Sequence, residues 1–390
     1  YVNLPIIPQS TTYEIIQTSV TKAINRPVDK PYGLIHEAHP PGHDVVMGLA
    51  SYPSAMGIFE RMVGSLRTTG YDGHIILGVH SNITVNEQEY LKQMDVTIYT
   101  VEYVTCDESI QVKGNNKGMV VRSLCAKGLE KLKLEWGRFE MCRQWLHACD
   151  KCTGWALVMD TRDVFFQANP FGRLPSVETS PYDLIFIEEI SKHTCPKKKQ
   201  EEECDPKRYY TLENNRHYRS RAGMCYGDYY ELDMLQRPIL CSGTIVGTRE
   251  GIDRFLAVFV DEFYRNNAKD PNKRCRSPHT TDQFILQYMY YTGKFGGFDR
   301  TATAPWGTGP INTIGHACVN NNLPPNDAHS AIDLMEFDNA TGFIMNIHEG
   351  VISPVLHQFD RCHNWIQPFF GNHPELFAAK GVPWLRSLQS

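Results

Sequence analysis

Two carboxylates and a guanidinium follow an apolar run that is long enough for one buried strand. In the segment GWALVMDTRDVFFQANPF, the apolar residues 155–159 are followed by Asp160, Arg162 and Asp163. An ionised carboxylate is costly to bury unless it is paired or binds a cation. Two carboxylates three residues apart can converge on one divalent ion, and Mg²⁺ or Mn²⁺ prefers oxygen ligands together with water and phosphate. The segment therefore predicts a metal site at a strand end.

Two other interpretations of this segment have to be weighed. Asp160 could cap the turn while Asp163 pairs with Arg162 or another base, which would make the group purely structural. Phosphatases with an aspartyl nucleophile also carry acidic residues at a strand end, but they need two aspartates one residue apart. Here two residues separate Asp160 from Asp163. No early apolar strand ends in a pair of aspartates with the required spacing, so an aspartyl phosphatase is disfavoured.

Strands and helices alternate along the part of the chain that must position this group. Such alternation predicts a single α/β domain with an open, mostly parallel sheet covered on both faces. Ligands of such sheets bind at the carboxyl ends of the strands, which is where the two aspartates are expected. Besides the strand that leads to Asp160, apolar runs predict strands at 44–51, 74–80, 96–104, 183–190, 241–248 and 342–350. Helical spacing or composition predicts helices within 54–70, 86–95, 122–149, 248–267 and 280–293.

The domain organisation follows from shifts in composition. We predict an N-terminal arm or stem at 1–40, one large α/β domain at 41–370 with a charged, Tyr-rich surface insertion at 191–237, and a C-terminal tail at 371–390. Cys195 and Cys204 are expected to pin the insertion.

Composition excludes two broad classes of function. Of the 390 residues, 42% are hydrophobic and 21% are charged, as in an ordinary globular protein. A net charge of −5 argues against a nucleic-acid binder that works by phosphate neutralisation. No apolar run approaches the 18 or more residues of a membrane span. The sequence starts without a methionine, so a membrane anchor upstream of it is compatible with these numbers.

Cysteines and glycosylation sequons indicate the compartment. The chain has 12 cysteines and two sequons, Asn82-Ile-Thr84 and Asn339-Ala-Thr341. Together they favour an oxidising, secretory-pathway location with structural disulfides. The pair Cys149 and Cys152 has the inner spacing of a zinc site but no second pair of ligands, so zinc is disfavoured.

Five segments, in this order along the chain, resemble one family. RFEMCRQWL with Arg138, LVMDTRDVFFQANPF, CSGTIVGTREGI, TTDQFILQYM and VLHQFDR are similar to the motifs of GT-A-fold, metal-dependent glycosyltransferases of eukaryotic Golgi type, in the Asp-x-x-Asp variant of the DxD motif. The resemblance covers roughly residues 44–365. It implies a Rossmann-like GT-A domain that moves a sugar from a nucleotide-diphosphate-sugar, with a UDP-sugar as the first candidate, to a glycan or glycoprotein acceptor. It also implies the Golgi lumen and a type II membrane protein.

The resemblance also implies roles for individual residues. A Mn²⁺ or Mg²⁺ ion would bridge the diphosphate and stabilise the charge that builds on it as the sugar leaves. The implied metal ligands are Asp160, Asp163 and His357. The implied donor-binding residues are Arg138, Asp160, Arg162, Ser242 and Gly243, with Ala50 and Ser51 at the end of the first strand. The implied catalytic residues are Asp282, Gln283 and Glu188.

Local sequence leaves alternatives for several of these residues. His357 could be a core histidine, and His348 competes with it as the third metal ligand. Asp282 stands where a helix N-cap is expected, and an inverting reaction could take its base from Asp282, Glu188 or Glu189. Gly243 could serve a bulge instead of a sugar pocket.

Two other functions are alternatives for the whole chain. A non-catalytic carbohydrate- or protein-binding relative would keep the fold without turnover, and the intact acidic motif favours the enzyme over it. A nucleotide-sugar pyrophosphorylase would carry a Gly-rich phosphate loop with a basic residue after the first strand. The sequence there is GLASYPSAMG, without such a loop.

Overall fold

The apolar runs of the sequence form an eight-stranded sheet at the centre of the molecule. A computed structural model describes residues 18–52, 55–107, 112–113, 120–121, 124–189, 237–269, 282–295, 300–315, 336–346 and 348–361. The strands are β1 (Leu34–His36), β2 (Val45–Ala50), β3 (His74–His80), β4 (Val96–Val101), β5 (Tyr103–Thr105), β6 (Val112–Lys113), β7 (Val120–Val121), β8 (Leu124–Ala126), β9 (Trp155–Asp160), β10 (Val164–Phe166), β11 (Leu184–Glu189), β12 (Ile239–Thr248), β13 (Thr301–Ala304), β14 (Ile311–Thr313), β15 (Met345–Asn346), β16 (Val351–Ile352) and β17 (Val355–His357).

The main sheet is mostly parallel, as predicted. Its order is β1-β4-β3-β2-β9-β12-β11-β13. The four strands from β4 to β9 run parallel to one another, and β11 runs parallel to β13. The strand β12 is antiparallel to both of its neighbours, β9 and β11. The carboxyl ends of β2, β3, β4 and β9 therefore lie at one edge of the sheet, which we call the carboxyl edge. The opposite edge is the amino edge.

Helices cover both faces of this sheet. They are α1 (Met56–Phe59, continued by the π-helical Glu60–Gly64 and by Ser65–Thr68), α2 (Val85–Gln93), α3 (Leu134–Ala148), α4 (Arg249–Lys269) and α5 (Asp282–Tyr291). One apolar core contains side chains of α3, α4 and α5 and the other contains side chains of α1 and α2. An α/β domain with two covered faces follows.

A small second sheet completes the site. Its order is β10-β17-β14, with β10 and β17 antiparallel and Val164 opposite His357. Because β10 begins directly after the acidic turn, this pairing carries a histidine from the end of the described chain to the two aspartates. The second sheet thus connects the two parts of the predicted metal site.

The helix predicted from residue 122 is wrong in its first half. Residues Leu124–Ala126 instead form β8, which pairs with β5 and is tied to it by the Cys106–Cys125 disulfide. Gly128 then takes a positive φ of 84°, which a continuous helix does not allow. Helix α3 begins only at Leu134, because tertiary pairing overrides the helical composition of the preceding residues.

Two predicted strands are shorter than expected. The run 96–104 is divided into β4 and β5, of which only β4 belongs to the main sheet. Among the described residues of the run 342–350, only Met345–Asn346 form a strand, β15, and a turn ends at Gly350 with a positive φ of 64°. Apolar content alone did not show where each strand ends within its apolar run.

The first described residues pack onto the domain. Val20 and Ala23 are buried in the core beside α3 and α4, and Leu34–His36 is the edge strand next to β4. The insertion 191–237, apart from its last residue, and the tail 371–390 lie outside the described residues, so the domain boundaries stay a prediction. Within the described part of the chain, no helix is both long enough and apolar enough to span a bilayer.

Candidate active site

Two aspartates flank a tight turn at the carboxyl edge. Asp160 is the last residue of β9 and pairs with Leu49 of β2. The hydroxyl of Thr161 donates a hydrogen bond of 2.8 Å to the Leu49 carbonyl and fixes the turn. The Asp160 side chain is 36% exposed, whereas that of Asp163 is 7% exposed. One carboxylate therefore faces the solvent and the other is buried.

His357 completes a cluster of three possible ligands with these aspartates. Its Nε2 lies 3.7 Å from Asp163 Oδ1, and the side chain of His357 is 1% exposed. One ligand atom from each of Asp160, Asp163 and His357 lies within 4.8 Å of the other two. The structure thus brings together the three residues that the sequence predicted as metal ligands.

Two atoms of this cluster are buried without a hydrogen bond. Asp163 Oδ1 and His357 Nε2 have no hydrogen-bond partner among the described residues. Leaving a buried polar atom unsatisfied costs about 1–3 kcal/mol, and more for a charged group. An absent ion is one of the few standard explanations for such atoms in a folded protein. The arrangement fits a divalent cation between the carboxylates and the imidazole.

The environment of the His357 ring suits a metal ligand. Thr313 Oγ1 and Cys241 Sγ each lie 3.3 Å from its Nδ1. A proton on Nδ1 can be donated to Thr313, which leaves the lone pair of Nε2 free on the side of Asp163. Burial lowers the pKa of His357 to about 4, partly offset by the Asp163 charge. The ring is therefore neutral at neutral pH, which is the form that binds metals.

Gly243 leaves open the space that an ion would need. It belongs to β12, next to β9. A Cβ atom at this position would lie 2.7 Å from Asp160 Oδ2 and 2.7 Å from His357 Nε2. From the resemblance we expected the backbone at Gly243 to approach a sugar closely, and the structure shows that it closely approaches the side chains of Asp160 and His357.

Arg138 connects the cluster to the start of helix α5. Its guanidinium contacts the carboxylates of both Asp160 and Asp282 and lies 3.4 Å from the Ser242 carbonyl oxygen. The Ser242 hydroxyl donates to Asp282 Oδ1 over 3.2 Å. The Gln283 backbone N–H donates to the same oxygen over 2.7 Å. Asp282 is therefore the first residue of α5, accepts a hydrogen bond from the next residue, and also contacts Arg138 and Ser242.

Gln283 and two glutamates lie deeper in this region. The Gln283 side-chain amide donates to the Leu240 carbonyl over 2.9 Å, which anchors α5 to β12. Glu189 is 3% exposed and lies 3.4 Å from the side-chain nitrogen of Gln358, the residue after His357. Burial raises the pKa of Glu189, and hydrogen bonds to Gln283 lower it in part. Glu188 hydrogen-bonds Thr303, and burial raises its pKa as well.

The remaining predicted residues surround the acidic turn. The Arg162 side chain is 55% exposed and lies 3.4 Å from the Asp360 carboxylate. Ala50 is buried at the end of β2. The next residue, Ser51, is 6% exposed; its carbonyl accepts a 2.7 Å hydrogen bond from Tyr103, and its hydroxyl has no partner among the described residues. Ala50 and Ser51 directly follow Leu49, the residue that pairs with Asp160.

The structure also adds residues that the sequence analysis did not place. Thr313 and Cys241 contact the far side of the His357 ring. Glu189 was already a candidate base, but local sequence did not show that it contacts Gln358, the residue after His357. Cys241 stood in a quoted motif, but Thr313 gave no signal. His348 lies on an exposed turn, outside the cluster.

Comparison with known proteins gives only a distant structural similarity. No protein-family model matches the chain, and no curated protein matches it. The chain is similar to the apo structure of the bifunctional glycosyltransferase WbbM, with a TM-score of 0.41 and 9% sequence identity. The likeness covers 92% of this chain and 52% of that one, so the chain spans about half the length of WbbM. The function proposed below therefore rests on the residues of the site.

Proposed function

We propose that the protein is a metal-dependent glycosyltransferase that moves a sugar from a nucleotide-diphosphate-sugar to a glycan or glycoprotein acceptor. The observation that carries the proposal is the pair of buried, unsatisfied atoms Asp163 Oδ1 and His357 Nε2, 3.7 Å apart. Asp160 lies beside them, and Gly243 keeps the space open. The cluster lies at the carboxyl edge of a mostly parallel sheet, where ligands of α/β proteins bind.

Asp160, Asp163 and His357 would hold a Mn²⁺ or Mg²⁺ ion. Two of the three ligands are carboxylates, which suit these hard cations. Three protein groups leave positions in the coordination shell for water and for phosphate oxygens. When bound, the ion would stabilise the negative charge that develops on the diphosphate as the sugar leaves.

The residues around the cluster would bind the donor. The Arg138 guanidinium contacts the carboxylates of both Asp160 and Asp282. It would therefore orient Asp160 as a metal ligand and Asp282 as a sugar-binding group. Asp282 can accept a hydrogen bond from a sugar hydroxyl, while the Ser242–Gly243 backbone allows close approach of the ring. The exposed guanidinium of Arg162 would neutralise a diphosphate oxygen.

The acceptor base is proposed to be a carboxylate of the same region. Asp282, Glu188 and Glu189 remain the candidates if the anomeric centre is inverted. Burial raises the pKa of both glutamates, and a raised pKa suits a group that takes up a proton near neutral pH. Asp282 is held by Arg138, Ser242 and Gln283, which suits a positioning role.

The secretory pathway, and within it the Golgi lumen, is the proposed location. Two disulfides, Cys106–Cys125 and Cys149–Cys152, support an oxidising compartment. The sequon residues Asn82 and Asn339 are both exposed, as glycosylation requires. Expression in a secretory host and treatment with an amidase that removes N-glycans should shift the protein to a lower mass.

A panel of nucleotide-sugars tests the reaction. The purified protein is incubated with each donor and Mn²⁺, and release of free nucleotide is measured with and without glycan acceptors. We expect one donor to be hydrolysed slowly, and no release after EDTA treatment. Equal release in EDTA would exclude the metal-dependent reaction. Metal-dependent nucleotide binding without release for any donor would favour the non-catalytic relative.

A further inference from the structure

A second cluster of possible metal ligands lies at the amino edge of the sheet. The sulfur atoms of Cys149 and Cys152 and one ring nitrogen of His74 lie within 4.8 Å of one another. The two sulfurs are joined in a disulfide. His74 is the first residue of β3, whereas Cys149 and Cys152 belong to the loop between α3 and β9. The sequence disfavoured zinc here because it shows no second pair of ligands beside Cys149 and Cys152, but the fold adds the His74 imidazole to the two sulfurs.

The imidazole of His74 is buried without a complete set of hydrogen bonds. The residue is 4% exposed, and its Nε2 has no hydrogen-bond partner among the described residues. Its main chain is fixed, since its N–H donates to the Asp44 carbonyl over 2.8 Å and its carbonyl accepts from the Tyr71 hydroxyl over 3.0 Å. An unsatisfied buried nitrogen costs about 1–3 kcal/mol, so its place beside two sulfurs needs a reason.

The loop that carries the two cysteines is held by contacts other than the disulfide. Arg249 Nη1 donates to the carbonyls of Cys149 and Cys152 over 2.7 and 2.8 Å. The Cys152 N–H donates to the Cys149 carbonyl, and the Gly154 N–H donates to the His43 carbonyl. These bonds do not involve sulfur, so reduction of the disulfide does not itself break them. We therefore expect the reduced loop to keep both thiols beside His74.

We propose that Cys149, Cys152 and His74 form a Zn²⁺ site once the disulfide between the two cysteines is reduced. A thiol reductant supplies two electrons and two protons to the S–S bond, which gives two thiols, and Zn²⁺ then displaces the two thiol protons. The Cys-x-x-Cys spacing and the thiolate–imidazole donor set suit Zn²⁺. Three protein ligands leave the fourth position to water. Metal and disulfide exclude each other, because each uses both sulfurs.

This site is separate from the one proposed for catalysis. In the register of the sheet, Val45 pairs with both His74 and Ala156, and Asp160 lies four residues farther along β9. Four residues of strand span about 13 Å. The proposal therefore does not depend on the identity of the ligand at the carboxyl edge.

Cobalt absorption spectroscopy tests the proposal, because Co²⁺ substitutes for Zn²⁺ and gives a near-ultraviolet thiolate-to-metal charge-transfer band. The whole chain is reduced with a phosphine, desalted without oxygen and titrated with Co²⁺. We expect a thiolate band that Zn²⁺ removes and that the unreduced protein lacks. A Co²⁺ ion bound by Asp160, Asp163 and His357 gives no such band, since that cluster has no thiolate ligand.

Variants identify the thiolates responsible. Cys149→Ser, at a half-buried position, should abolish the band, whereas Cys106→Ser, in the Cys106–Cys125 disulfide, should retain it. His74→Gln should leave two thiolate ligands but raise the Co²⁺ concentration for half-saturation at least tenfold. Absence of the band in reduced wild-type protein overturns the proposal, and so does its persistence in Cys149→Ser. Circular dichroism of the reduced wild-type protein checks that the fold is retained.

Discussion

Both edges of the main sheet carry a buried histidine whose Nε2 has no hydrogen-bond partner among the described residues, but different groups lie beside the two rings. His357, at the carboxyl edge, faces the carboxylates of Asp160 and Asp163. His74, at the amino edge, lies beside two sulfurs that are joined to each other. Carboxylates bind a cation without prior reaction, whereas disulfide sulfurs must first be reduced. A buried imidazole without a hydrogen bond therefore indicates a metal site only when the groups beside it can also bind a cation.

The largest expected effect is at the carboxyl edge. Asp163→Asn keeps the size of the side chain and removes its charge, so Mn²⁺-dependent release of nucleotide should fall about 100-fold or more, which corresponds to roughly 3 kcal/mol of lost charge stabilisation. Thermal stability should not fall, because the substitution removes a buried charge whose Oδ1 has no hydrogen-bond partner among the described residues. Glu102→Gln, in an exposed ion pair with Lys127, is the control and should leave the rate unchanged. Unchanged activity in Asp163→Asn would remove this residue from the metal site.

The next largest effect is expected at His357, and it shows whether this residue is a metal ligand or a core histidine. Loss of an outer-shell group that supports a metal ligand typically costs about 10- to 100-fold in metal affinity or activity. Loss of a ligand should cost at least as much, so His357→Ala should raise the Mn²⁺ concentration for half-maximal activity by at least that factor. His348→Ala, on an exposed turn, is the matched control and should leave the metal titration unchanged. If His357 serves packing alone, its variant should instead lose about 1–3 kcal/mol of stability with the same metal dependence as the wild type.

A glycine substitution tests the space between the ligands. Gly243→Ala places a methyl group 2.7 Å from Asp160 Oδ2 and His357 Nε2, so Mn²⁺ affinity should fall about tenfold, or roughly 1.4 kcal/mol. Gly137→Ala, in helix α3, is the control. Its Cβ would lie 3.7 Å from the nearest atom, and alanine should stabilise the helix by about 0.5–1 kcal/mol. Isothermal titration with Mn²⁺ and thermal unfolding measure the two effects. Equal metal affinity in Gly243→Ala and wild type would argue against an ion beneath Gly243.

The smallest expected effect is the extent of thiol labelling at the amino edge while Cys149 and Cys152 form their disulfide. Without reductant, a thiol-specific reagent should label neither Cys149 nor Cys152, because their sulfurs are joined. The free thiols of Cys142 and Cys241 should also resist labelling, because burial raises the pKa of Cys142 to about 12 and that of Cys241 well above its usual range. Peptide mass spectrometry gives the extent of modification. Rapid labelling of Cys149 in native protein would show that the disulfide is open.

The sequence predicted the buried parallel strands well. The run at 74–80 coincides with β3 in full, and the strands ending at Ala50 and Asp160 lie where expected, because strands covered on both faces are continuous apolar runs. The three residues of β1 gave no such signal, since two of them are exposed. Strand β8 was hidden in a helical composition that long-range pairing with β5 overrides. Local pattern therefore fails where distant contacts decide the structure.

The types of the site residues were predictable, but their arrangement depends on long-range contacts. The cluster of Asp160, Asp163 and His357 requires the pairing of β10 with β17, two short strands whose register no local pattern specifies. The choice between Glu188 and Glu189 depends on a register shift in β11 between Phe186 and Glu188. A shift of one residue exchanges the faces of a strand, so sequence alternation could not assign the two glutamates.

Thermal unfolding with a nucleotide diphosphate and metal tests the central claim most directly. If Asp160, Asp163 and His357 hold an ion that binds the diphosphate, UDP should raise the melting temperature of the wild-type protein in Mn²⁺ and leave it unchanged in EDTA. A hundredfold excess of UDP over its dissociation constant corresponds to about 2.7 kcal/mol of added stability. The same rise in EDTA as in Mn²⁺ would contradict a metal-bridged nucleotide at this site.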